Sequence, residues 1–425
     1  MNTVAIGATA NANFQNQINV SVVFNYLKQH GPTYRAEIAR NLGLSAPAVS
    51  RAIDQLTEHG YVRDVGTMAT ESGKKVTQIA INPRMGSVVA VDLLKGDSRY
   101  GIFDFDGEMI YSRKGLRYAE SGDLVSDLIA DLDRFLLQAG SVWERSGHDG
   151  TLPAIKAFCI GIPAAVDPET GRTTGTSLFE SLNKVNLKEE VQRRFDIRCY
   201  VENDVKLAAF AENRFGQGTR HRDLIYLDIN DGIGAGIILD NRIVRGAQGF
   251  AGEIGYFLSS PNEMEYASVT RGYLENRASV EALGRSAAEA IRRGVKTEIV
   301  EYLDETCTTP RPRHVFEAAM ADDQLARTLV THSIDLIAVA IHNVILMVNP
   351  EVVVIGGDIC EMPGVDTLFV HPIRMAVARA LPFPPPDIVL SSLGADACIT
   401  GASAFAVESL LSGEYPFTMN PPKNT

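Results

Sequence analysis

The sequence predicts two folds in one chain: a mostly α-helical winged helix-turn-helix at the amino end, followed by a two-lobed α/β body. Three observations predict this arrangement. Residues 33–60 contain two short helical patterns joined at Gly43, with the spacing of a helix-turn-helix. Residues 61–82 alternate apolar and polar residues around a turn of Gly, Ser and Lys, as a β-hairpin does. From Ser87 onward, strands and helices follow one another in an order that occurs twice.

The helices of the head are predicted from the spacing of apolar residues. The first is expected over 17–30, where a Gly-Pro pair ends it. Thr33 is expected to cap the second helix, which should end at Gly43 in the left-handed conformation. Ser45 is a natural N-cap for the third helix. The residues expected to point into the core of the head are Val20, Val23, Phe24, Leu27, Ile38, Ala39, Leu42, Leu44, Val49, Ile53 and Leu56.

The third helix and the tip of the hairpin carry the predicted DNA contacts. A helix-turn-helix places its second helix in the major groove, where exposed residues meet base edges and phosphates. The segment TMATESGKK (67–75) is expected to form the turn of a wing, whose lysines reach phosphate or the minor groove. The predicted DNA contacts are Arg35, Ser45, Ala46, Pro47, Ser50, Arg51, Lys74 and Lys75. The alternative interpretation is a small helical subdomain used for protein contacts.

The charge of the chain is unevenly distributed. The 425 residues carry a formal net charge of −12, which is unusual for a DNA-binding protein. Residues 1–82 hold seven Lys/Arg and five Asp/Glu, a net of +2, which leaves −14 for the rest. A mildly basic head on an acidic body is compatible with DNA contacts confined to the head, but +2 also fits a neutral domain.

Cysteine usage and hydropathy indicate the cellular compartment. The five cysteines are scattered without a CxxC motif, which indicates a reduced cytosolic protein with no disulfide framework or zinc knuckle. Residues 1–16 lack the charged and apolar regions of a signal peptide. The most apolar stretch, 333–357, is interrupted by polar residues and is expected to be a buried helix followed by a strand. We therefore expect a cytoplasmic protein with no membrane partner.

The body is predicted to consist of two RNase-H-like α/β halves. The strands predicted in the first half cover 88–94, 99–105, 108–115, 154–163 and 197–203, and the helices cover 121–139, 187–195 and 204–214. The second half repeats the order, with strands at 224–230, 234–240, 241–246 and 352–357 and several helices. Two such halves facing each other form the actin-like sugar-kinase architecture, which binds its ligand in the cleft between the lobes.

Three domains are expected. Residues 1–82 form the winged helix-turn-helix, residues 83–203 together with 399–425 form the first lobe, and residues 204–398 form the second lobe. Helices at 398–411 are expected to return to the first half and make it discontinuous in sequence. The Pro-rich segment at 381–387 is expected to be a stiff connector.

Several motifs give the body a specific resemblance. They are GIPAAVDPETG (161–171), VENDVKLAAFAE (201–212), DGIGAGIILDNRIVRGAQGFAGEIGY (231–256), VVVIGGDI (352–359) and ITGASAFA (399–406). Together with the head, the chain resembles the ROK family of bacterial repressors, open reading frames and sugar kinases over nearly its whole length. The resemblance implies a transcriptional regulator of carbohydrate genes, because winged-helix members of that family have this role.

The resemblance also implies a sugar site built from carboxylates and an amide. Asn203 and Asp204 match the family's Asn-Asp pair, and Glu253 matches the Glu of its GEIGH motif. Glu275 matches a further sugar contact, and Tyr256 replaces a histidine that contacts sugar in the family. In the kinases the Asp is the general base for the attacked hydroxyl, whereas in a regulator it hydrogen-bonds the hydroxyl. The alternatives are a helix N-cap for Asp204 and a solvated loop acid for Glu253.

The first phosphate loop departs from the family pattern. The family's Asp-x-Gly-Gly-Thr is Asp92-Leu93-Leu94-Lys95-Gly96 here, and leucines do not allow the close backbone approach that glycines give a phosphate. The turn at 231–236 and the pair Gly356-Gly357 are retained, but hairpin and helix packing also explain glycines there. We expect no ATP-dependent transfer, and therefore no catalytic residue and no cofactor.

The family's zinc site is also lost from the sequence. Tyr266, Ser268, Tyr273 and Tyr256 stand where the family has three cysteines and a histidine. Zn²⁺ needs thiolate or imidazole ligands, so we expect no structural metal and a loop held by tyrosine contacts instead. The sugar pocket is therefore expected to be present but altered, and its effector to be an unusual sugar, a sugar derivative or a polyol.

These observations predict a DNA-binding, sugar-responsive transcriptional repressor. It is expected to be a homodimer or homotetramer on a roughly palindromic operator of double-stranded DNA. Ligand binding is expected to close the lobes and change the spacing of the two heads. Two alternatives stay open. One is an active ATP-dependent sugar kinase with a vestigial head, and the other is a body that binds no ligand and only oligomerises the head.

Overall fold

The computed structural model of the chain describes most of its residues. These are 19–20, 22–24, 26–27, 30–69, 75–94, 97–118, 121, 123–145, 152–174, 182, 185–266, 271–303 and 307–411. Three groups of elements follow one another: helices with a two-stranded hairpin, and then two five-stranded sheets with their helices.

The amino-terminal region folds as the predicted helix-turn-helix. Helix α1 (Arg35–Leu42) is followed by α2 (Ala46–Glu58), and Gly43 between them has a φ of 63°. Ser45 caps α2, since its Oγ accepts a hydrogen bond from the backbone N–H of Ala48 at 3.4 Å. The described positions between 19 and 30 are helical as predicted.

The predicted cap of α1 is wrong. Tyr34 is the N-cap, and its side chain makes no capping hydrogen bond. Thr33 instead exchanges two backbone hydrogen bonds with Ile79 of the hairpin and donates its hydroxyl to Glu37 at 2.7 Å. Thr33 therefore fastens the helices to the hairpin, because its extended backbone pairs with a strand.

The hairpin of the head consists of β1 (Val62–Ala69) and β2 (Lys75–Ile81), which pair antiparallel. The predicted turn at 67–75 is too long, because β1 continues through Ala69 and β2 already begins at Lys75. The register of the pairing shifts between Asp64 and Gly66, and Gly66 has a φ of 134°. This irregularity interrupts the alternation of inward and outward side chains that marks a regular strand. The buried core of the head includes Val23, Phe24, Leu27, Ile38, Val49, Ile53, Leu56, Val62 and Ile79.

The first large sheet has the order β5-β4-β3-β6-β9. Its strands are β3 (Ser87–Asp92), β4 (Arg99–Asp104), β5 (Met109–Lys114), β6 (Ile155–Ile162) and β9 (Arg198–Asn203). Strands β3, β6 and β9 are parallel, and β7 (Ala165–Val166) and β8 (Thr173–Thr174) form a separate small hairpin. Helices α3 (Leu124–Arg145) and α4 (Leu187–Phe195) belong to this half. The bounds of α4 are those predicted, whereas α3 is shifted and longer than the predicted 121–139.

The second large sheet has the order β12-β11-β10-β13-β14. Its strands are β10 (Leu224–Ile229), β11 (Ile233–Leu239), β12 (Arg242–Ile243), β13 (Val352–Gly356) and β14 (Asp387–Leu390). Strand β12 is shorter than the predicted 241–246: it has two residues, and the chain then reaches Gly246, where φ is 75°. The predicted connector at 381–387 ends in β14, a strand that the sequence analysis missed.

The remaining helices complete the second half and connect the two sheets. They are α5 (Asp204–Phe215), α6 (Tyr273–Ala278), α7 (Val280–Arg292), α8 (Pro312–Met320), α9 (Gln324–Val348), α10 (His371–Ala380) and α11 (Ala397–Leu411). Short 3₁₀ helices occur at Pro83–Met85, Ile254–Tyr256, Pro261–Tyr266, Glu298–Tyr302, Asp358–Glu361 and Gly394–Asp396, and a π-helix occurs at Asp366–Val370.

Helices α5 and α11 lie between the two sheets. Helix α11 packs on α5 and on β3 and β6, so the last helix of the described chain lies against the first sheet. Helix α5 also packs closely on β11 of the second sheet. A Cβ on Gly236 of β11 would lie 2.3 Å from the Cβ of Ala209 of α5. The two sheets are therefore joined through one helix pair.

Helix α9 is the longest helix of the described chain. By length and composition it is sufficient to cross a membrane, with a mean hydropathy of 1.7 in its most apolar part. Half of that part is buried within the body, and Ile337, Ile341 and Ile345 lie in the core of the second half. The predicted helix followed by a strand is confirmed, but the helix begins at Gln324.

Candidate ligand cleft and DNA-binding head

Three carboxylates from both sheets meet at one place in the body. Asp92 ends β3, Asp204 follows β9, and Asp228 lies near the end of β10. Burial raises the pKa of Asp204 well above its usual range, and the nearby carboxylates of Asp92 and Asp228 raise it further. Ligands of α/β folds bind beyond the carboxyl ends of their strands, so this cluster marks the candidate cleft.

Asp92 and Asp228 differ in their hydrogen bonding, because one oxygen of Asp92 lacks a partner among the described residues while both oxygens of Asp228 accept hydrogen bonds. Burial raises the pKa of Asp92 to about 6, and its Oδ1 has no hydrogen-bond partner among the described residues. Burial raises the pKa of Asp228 to about 7, although Tyr226 and Asn230 donate hydrogen bonds to it at 3.3 and 2.6 Å. The cleft therefore holds carboxyl groups whose pKa values are raised by burial toward the neutral range.

Sequence analysis missed Asp228 as a residue of the cleft. The signal was present, because LIYLD ends a buried strand with an acid in the same way as VVAVD does at Asp92. The two strands hold equivalent positions near the middle of their sheets.

Asn203 caps helix α5 and orients Asp204. Its Oδ1 accepts the backbone N–H of Lys206 at 3.0 Å, and its Nδ2 donates to Asp204 at 3.1 Å and to the carbonyl of Ala164 at 3.3 Å. The same oxygen of Asp204 accepts the backbone N–H of Val205 at 2.8 Å. The capping role considered for Asp204 thus belongs to Asn203, and Oδ1 of Asp204 accepts both of these bonds within the turn.

Glu253 lies near Asp204 on a loop that connects β12 with the next 3₁₀ helix. We call residues 244–253 the Glu253 loop. Burial raises the pKa of Glu253, while the ammonium of Lys206 lowers it and the carboxylate of Glu275 raises it. The half-buried position and these charged neighbours do not match a freely solvated loop acid.

Tyr256 and Glu275 lie beside Glu253. Burial raises the pKa of the Tyr256 phenol, with added effects of the carboxylates of Glu253 and Glu275, although the side chain is 44% exposed. Glu275 forms an ion pair with Arg271 at 2.8 Å. A Cβ on Gly232 or Gly255 would lie 3.3 Å from Oε2 of Glu275, so this side chain also fills the space beside two glycines. The structure thus brings together all five residues predicted for the sugar site.

The retained glycines are explained by packing. A Cβ on Gly356 would lie 2.0 Å from the hydroxyl of Tyr226, and a Cβ on Gly357 would lie 2.7 Å from the carbonyl of Ile229. Leu93, in the altered phosphate loop, is fully buried in the core of the first half. Lys95 and Gly96 of that loop lie outside the described residues. These glycines therefore give no independent sign of a nucleotide.

The positions of the family's zinc ligands are only partly described. Tyr256 is exposed and Tyr273 is half-buried beside Glu263, whereas Ser268 and the side chain of Tyr266 lie outside the described part of the chain. Among the described residues, no group of three or more His, Cys, Asp or Glu side chains is placed to hold a metal ion.

The predicted DNA contacts lie at the start of α2 and on the hairpin. Ser45, Ala46, Pro47 and Arg51 are exposed, and Ser50 is half-buried. Arg35 is half-buried and forms an ion pair with Asp54 of α2 at 2.9 Å. Lys75 is exposed at the start of β2, and Lys74 lies outside the described residues.

Comparison with known proteins places the body in a family. The ROK family profile matches residues 147–409, which is more than half of the chain. The chain belongs to the ROK family. An IclR helix-turn-helix domain matches residues 21–66, so this ROK protein has a helix-turn-helix domain ahead of its body.

Relatives of this ROK protein share its full length. It is 26% identical over 401 residues to the xylose repressor of Caldicellulosiruptor bescii. The alignment covers 93% of this chain and 97% of the relative. It is 27% identical over 412 residues to the DNA-binding transcriptional dual regulator NagC of Escherichia coli K12, with 95% of both chains covered.

Solved structures share the fold of this ROK protein. A ROK family transcriptional regulator, a homologue of the E. coli MLC protein, aligns over 93% of this chain and 96% of its own with a TM-score of 0.76 and 21% identity. A ROK family glucokinase from Streptomyces griseus, in complex with glucose and AMPPNP, aligns over 75% of this chain and 99% of its own with a TM-score of 0.60 and 24% identity.

Proposed function

We propose that this protein is a DNA-binding transcriptional regulator of carbohydrate genes, and that it represses them until a sugar or sugar derivative binds in the cleft. The observation that carries the proposal is the presence, in one chain, of a capped helix-turn-helix with an exposed amino end on its second helix and a cleft in which Glu253 lies close enough to Asp204 to raise its pKa. The full-length relatives named as xylose repressor and as the regulator NagC support it.

The proposal assigns roles to individual residues. Asp204, Glu253, Tyr256 and Glu275 contact the effector, and Asn203 contacts it or orients Asp204. Carboxylates bind adjacent hydroxyls of a sugar because each of their oxygens accepts hydrogen bonds. The proposed DNA contacts are Arg35, Ser45, Ala46, Pro47, Ser50, Arg51, Lys74 and Lys75. The domain limits remain those of the sequence analysis, at 1–82, 83–203 with 399–425, and 204–398.

The proposed protein acts in the cytoplasm as a homodimer or homotetramer, without a cofactor or structural metal. It has no catalytic role, because Leu93 occupies the core where a phosphate loop needs a glycine backbone exposed to the ligand. The alternative of a sugar kinase is favoured by the buried Asp204, whose raised pKa suits a general base. ADP release in the presence of ATP, Mg²⁺ and a sugar, abolished by Asp204→Asn, would establish that alternative.

A thermal-shift screen of the full-length protein tests the ligand part of the proposal. The probes are D-xylose, D-glucose, N-acetylglucosamine, their phosphates and polyols. At least one is expected to raise Tm, and Glu253→Ala is expected to abolish the shift. The exposed Glu301→Ala is the matched control. No shift with any probe would favour the alternative in which the body only oligomerises the head.

A further inference from the structure

We propose that Lys206 is a positioning residue of the cleft, and that its buried ammonium holds the Glu253 loop on helix α5. Lys206 lies on the first turn of α5, two residues after Asp204. The proposal rests on the proposed function in one respect, which is that Asp204 and Glu253 bind the effector. The attachment of the loop itself does not depend on any ligand.

The burial of Lys206 is unusual for a lysine. The residue is 2% exposed, and its Nζ donates a hydrogen bond to the carbonyl of Gly249 at 2.6 Å. Lysines are almost never fully buried unless they are paired, because removing an ammonium from water costs free energy. The Nζ of this buried side chain thus bonds the backbone of the Glu253 loop.

The charges around Lys206 come from three parts of the chain. Burial lowers the pKa of Lys206. The carboxylates of Glu202 on β9, Glu253 on the loop and Asp204 on α5 oppose this effect, whereas Arg245 adds to it. In return, the ammonium lowers the pKa of Glu253. Lys206 therefore acts on Glu253 both through the loop backbone and through its charge.

Gly249 is held by contacts with the first half of the body. Its φ is 84°, and a Cβ at this position would lie 2.1 Å from the carbonyl of Val166 in β7. The hydroxyl of Thr174 in β8 donates to the carbonyl of Gln248 at 2.9 Å. The loop thus rests against the β7–β8 hairpin while Lys206 binds it from α5.

This arrangement sets the position of Glu253 relative to Asp204. Lys206 follows Asp204 by two residues in the first turn of α5, and Gly249 is four residues before Glu253. Replacing the ammonium with an apolar group removes the loop's bond to α5 and leaves a buried carbonyl without its donor. Asp204 itself keeps its cap, because Asn203 bonds the backbone of Lys206 rather than its side chain.

Hydrogen–deuterium exchange of full-length Lys206→Met, Lys206→Arg and the unaltered protein tests the proposal without a ligand. Exchange of residues 244–256 is expected to become about tenfold faster in Lys206→Met, because one buried charge-assisted hydrogen bond is lost. Helix α4 is expected to be unchanged, and Lys206→Arg to stay near the unaltered protein. Equal loop exchange in all three proteins would overturn the proposal, as would faster exchange throughout Lys206→Met including α4.

Two additions keep the experiment decisive. If Lys206→Met does not fold, Lys206→Gln takes its place, with an expected intermediate rate in the same segment and α4 as control. For any sugar that raises Tm, Lys206→Met should weaken binding about tenfold, whereas Glu253→Ala should abolish it. Failure of every sugar would count against the proposed function but not against the attachment of the loop, which the exchange of residues 244–256 decides.

Discussion

The carboxylate of Glu202 accepts a hydrogen bond from Nε of Arg245 at 2.5 Å, and this ion pair joins the last strand of the first sheet to the Glu253 loop of the second. The Glu202 side chain is 4% exposed and that of Arg245 is 27% exposed. The guanidinium of Arg245 also lies over the ring of Phe405 in α11, 5.4 Å from its centroid. One arginine therefore contacts both the first sheet and the helix that returns to it.

Removing one charge of this pair should destabilise the body. Glu202→Gln is expected to lower the free energy of unfolding by about 2 kcal/mol, below the range for fully buried pairs because Arg245 is partly exposed. Urea denaturation checks this, with Arg245→Gln and the double variant completing a double-mutant cycle. Additive effects of the two substitutions would show that the pair contributes no coupling between the two halves.

The cleft carboxyls should make the fold less stable as the pH rises. Their pKa values in the folded chain, about 6 for Asp92 and about 7 for Asp228, lie above the usual 3.8. Because the folded state then binds more protons than the unfolded state, the stabilising contribution is fully present below the unfolded pKa and is lost as pH rises through 6 to 7. Asp92→Asn is expected to remove the part of this change in the free energy of unfolding that Asp92 causes, which is about 3 kcal/mol between about pH 4 and pH 8.

Urea denaturation at several pH values measures this effect. The unaltered protein should lose stability from about pH 4 to pH 8, and Asp92→Asn should lose less. The exposed Asp387→Asn serves as control and should follow the unaltered protein. A pH profile of Asp92→Asn that coincides with that of the unaltered protein would contradict the assignment.

The close contact between α5 and α11 predicts a large effect at Gly401. A Cβ there would lie 1.8 Å from the carbonyl of Leu207, and backbone of this kind cannot move aside at low cost. Gly401→Ala is expected to destabilise the protein by about 3 kcal/mol or more. Gly140→Ala is the matched control, because Gly140 lies in α3 with no atom near its Cβ position, and should stabilise by up to about 1 kcal/mol. Thermal denaturation of the two variants should therefore give Tm shifts of opposite sign.

The exposed face of α2 predicts which arginine contributes to DNA affinity. Arg51→Ala is expected to weaken binding to the protein's own promoter DNA by about tenfold or more, because Arg51 is exposed on the proposed recognition helix. Arg40→Ala removes the same charge from an exposed position on α1 and should have a smaller effect. Fluorescence anisotropy at fixed salt measures both. Equal losses of DNA affinity would mean that binding depends only on the net charge of the head and not on the position of Arg51.

Local patterns predicted the head and much of the body because their physical causes are local. Ser45 before an amphipathic helix, Gly43 at a left-handed position and the apolar strands of the sheets were all readable from neighbouring residues. Helix α4 was predicted with its observed bounds, and in the structure it ends where Asp196 takes the left-handed conformation.

Long-range pairing explains what the sequence did not predict. Strand β14 has only four residues, and its single fully buried side chain, Ile388, is too weak a signal after a Pro-rich segment. Thr33 pairs with Ile79, which is distant in sequence, so its capping role could not be rejected locally. The sequence around Lys206 is that of an ordinary helix. Only the fold shows that its ammonium bonds the carbonyl of Gly249 and lies near the carboxylate of Glu202.

The change that a cleft-bound sugar causes in DNA affinity tests the central claim most directly. Fluorescence anisotropy would follow binding of the full-length protein to its promoter DNA with and without the sugar that raises its Tm most. We predict a fall in affinity of about tenfold in the unaltered protein, and no change in Glu253→Ala. Equal affinity with and without a sugar that demonstrably binds the cleft would contradict the account, because the ligand would then not distinguish the DNA-binding state from the other.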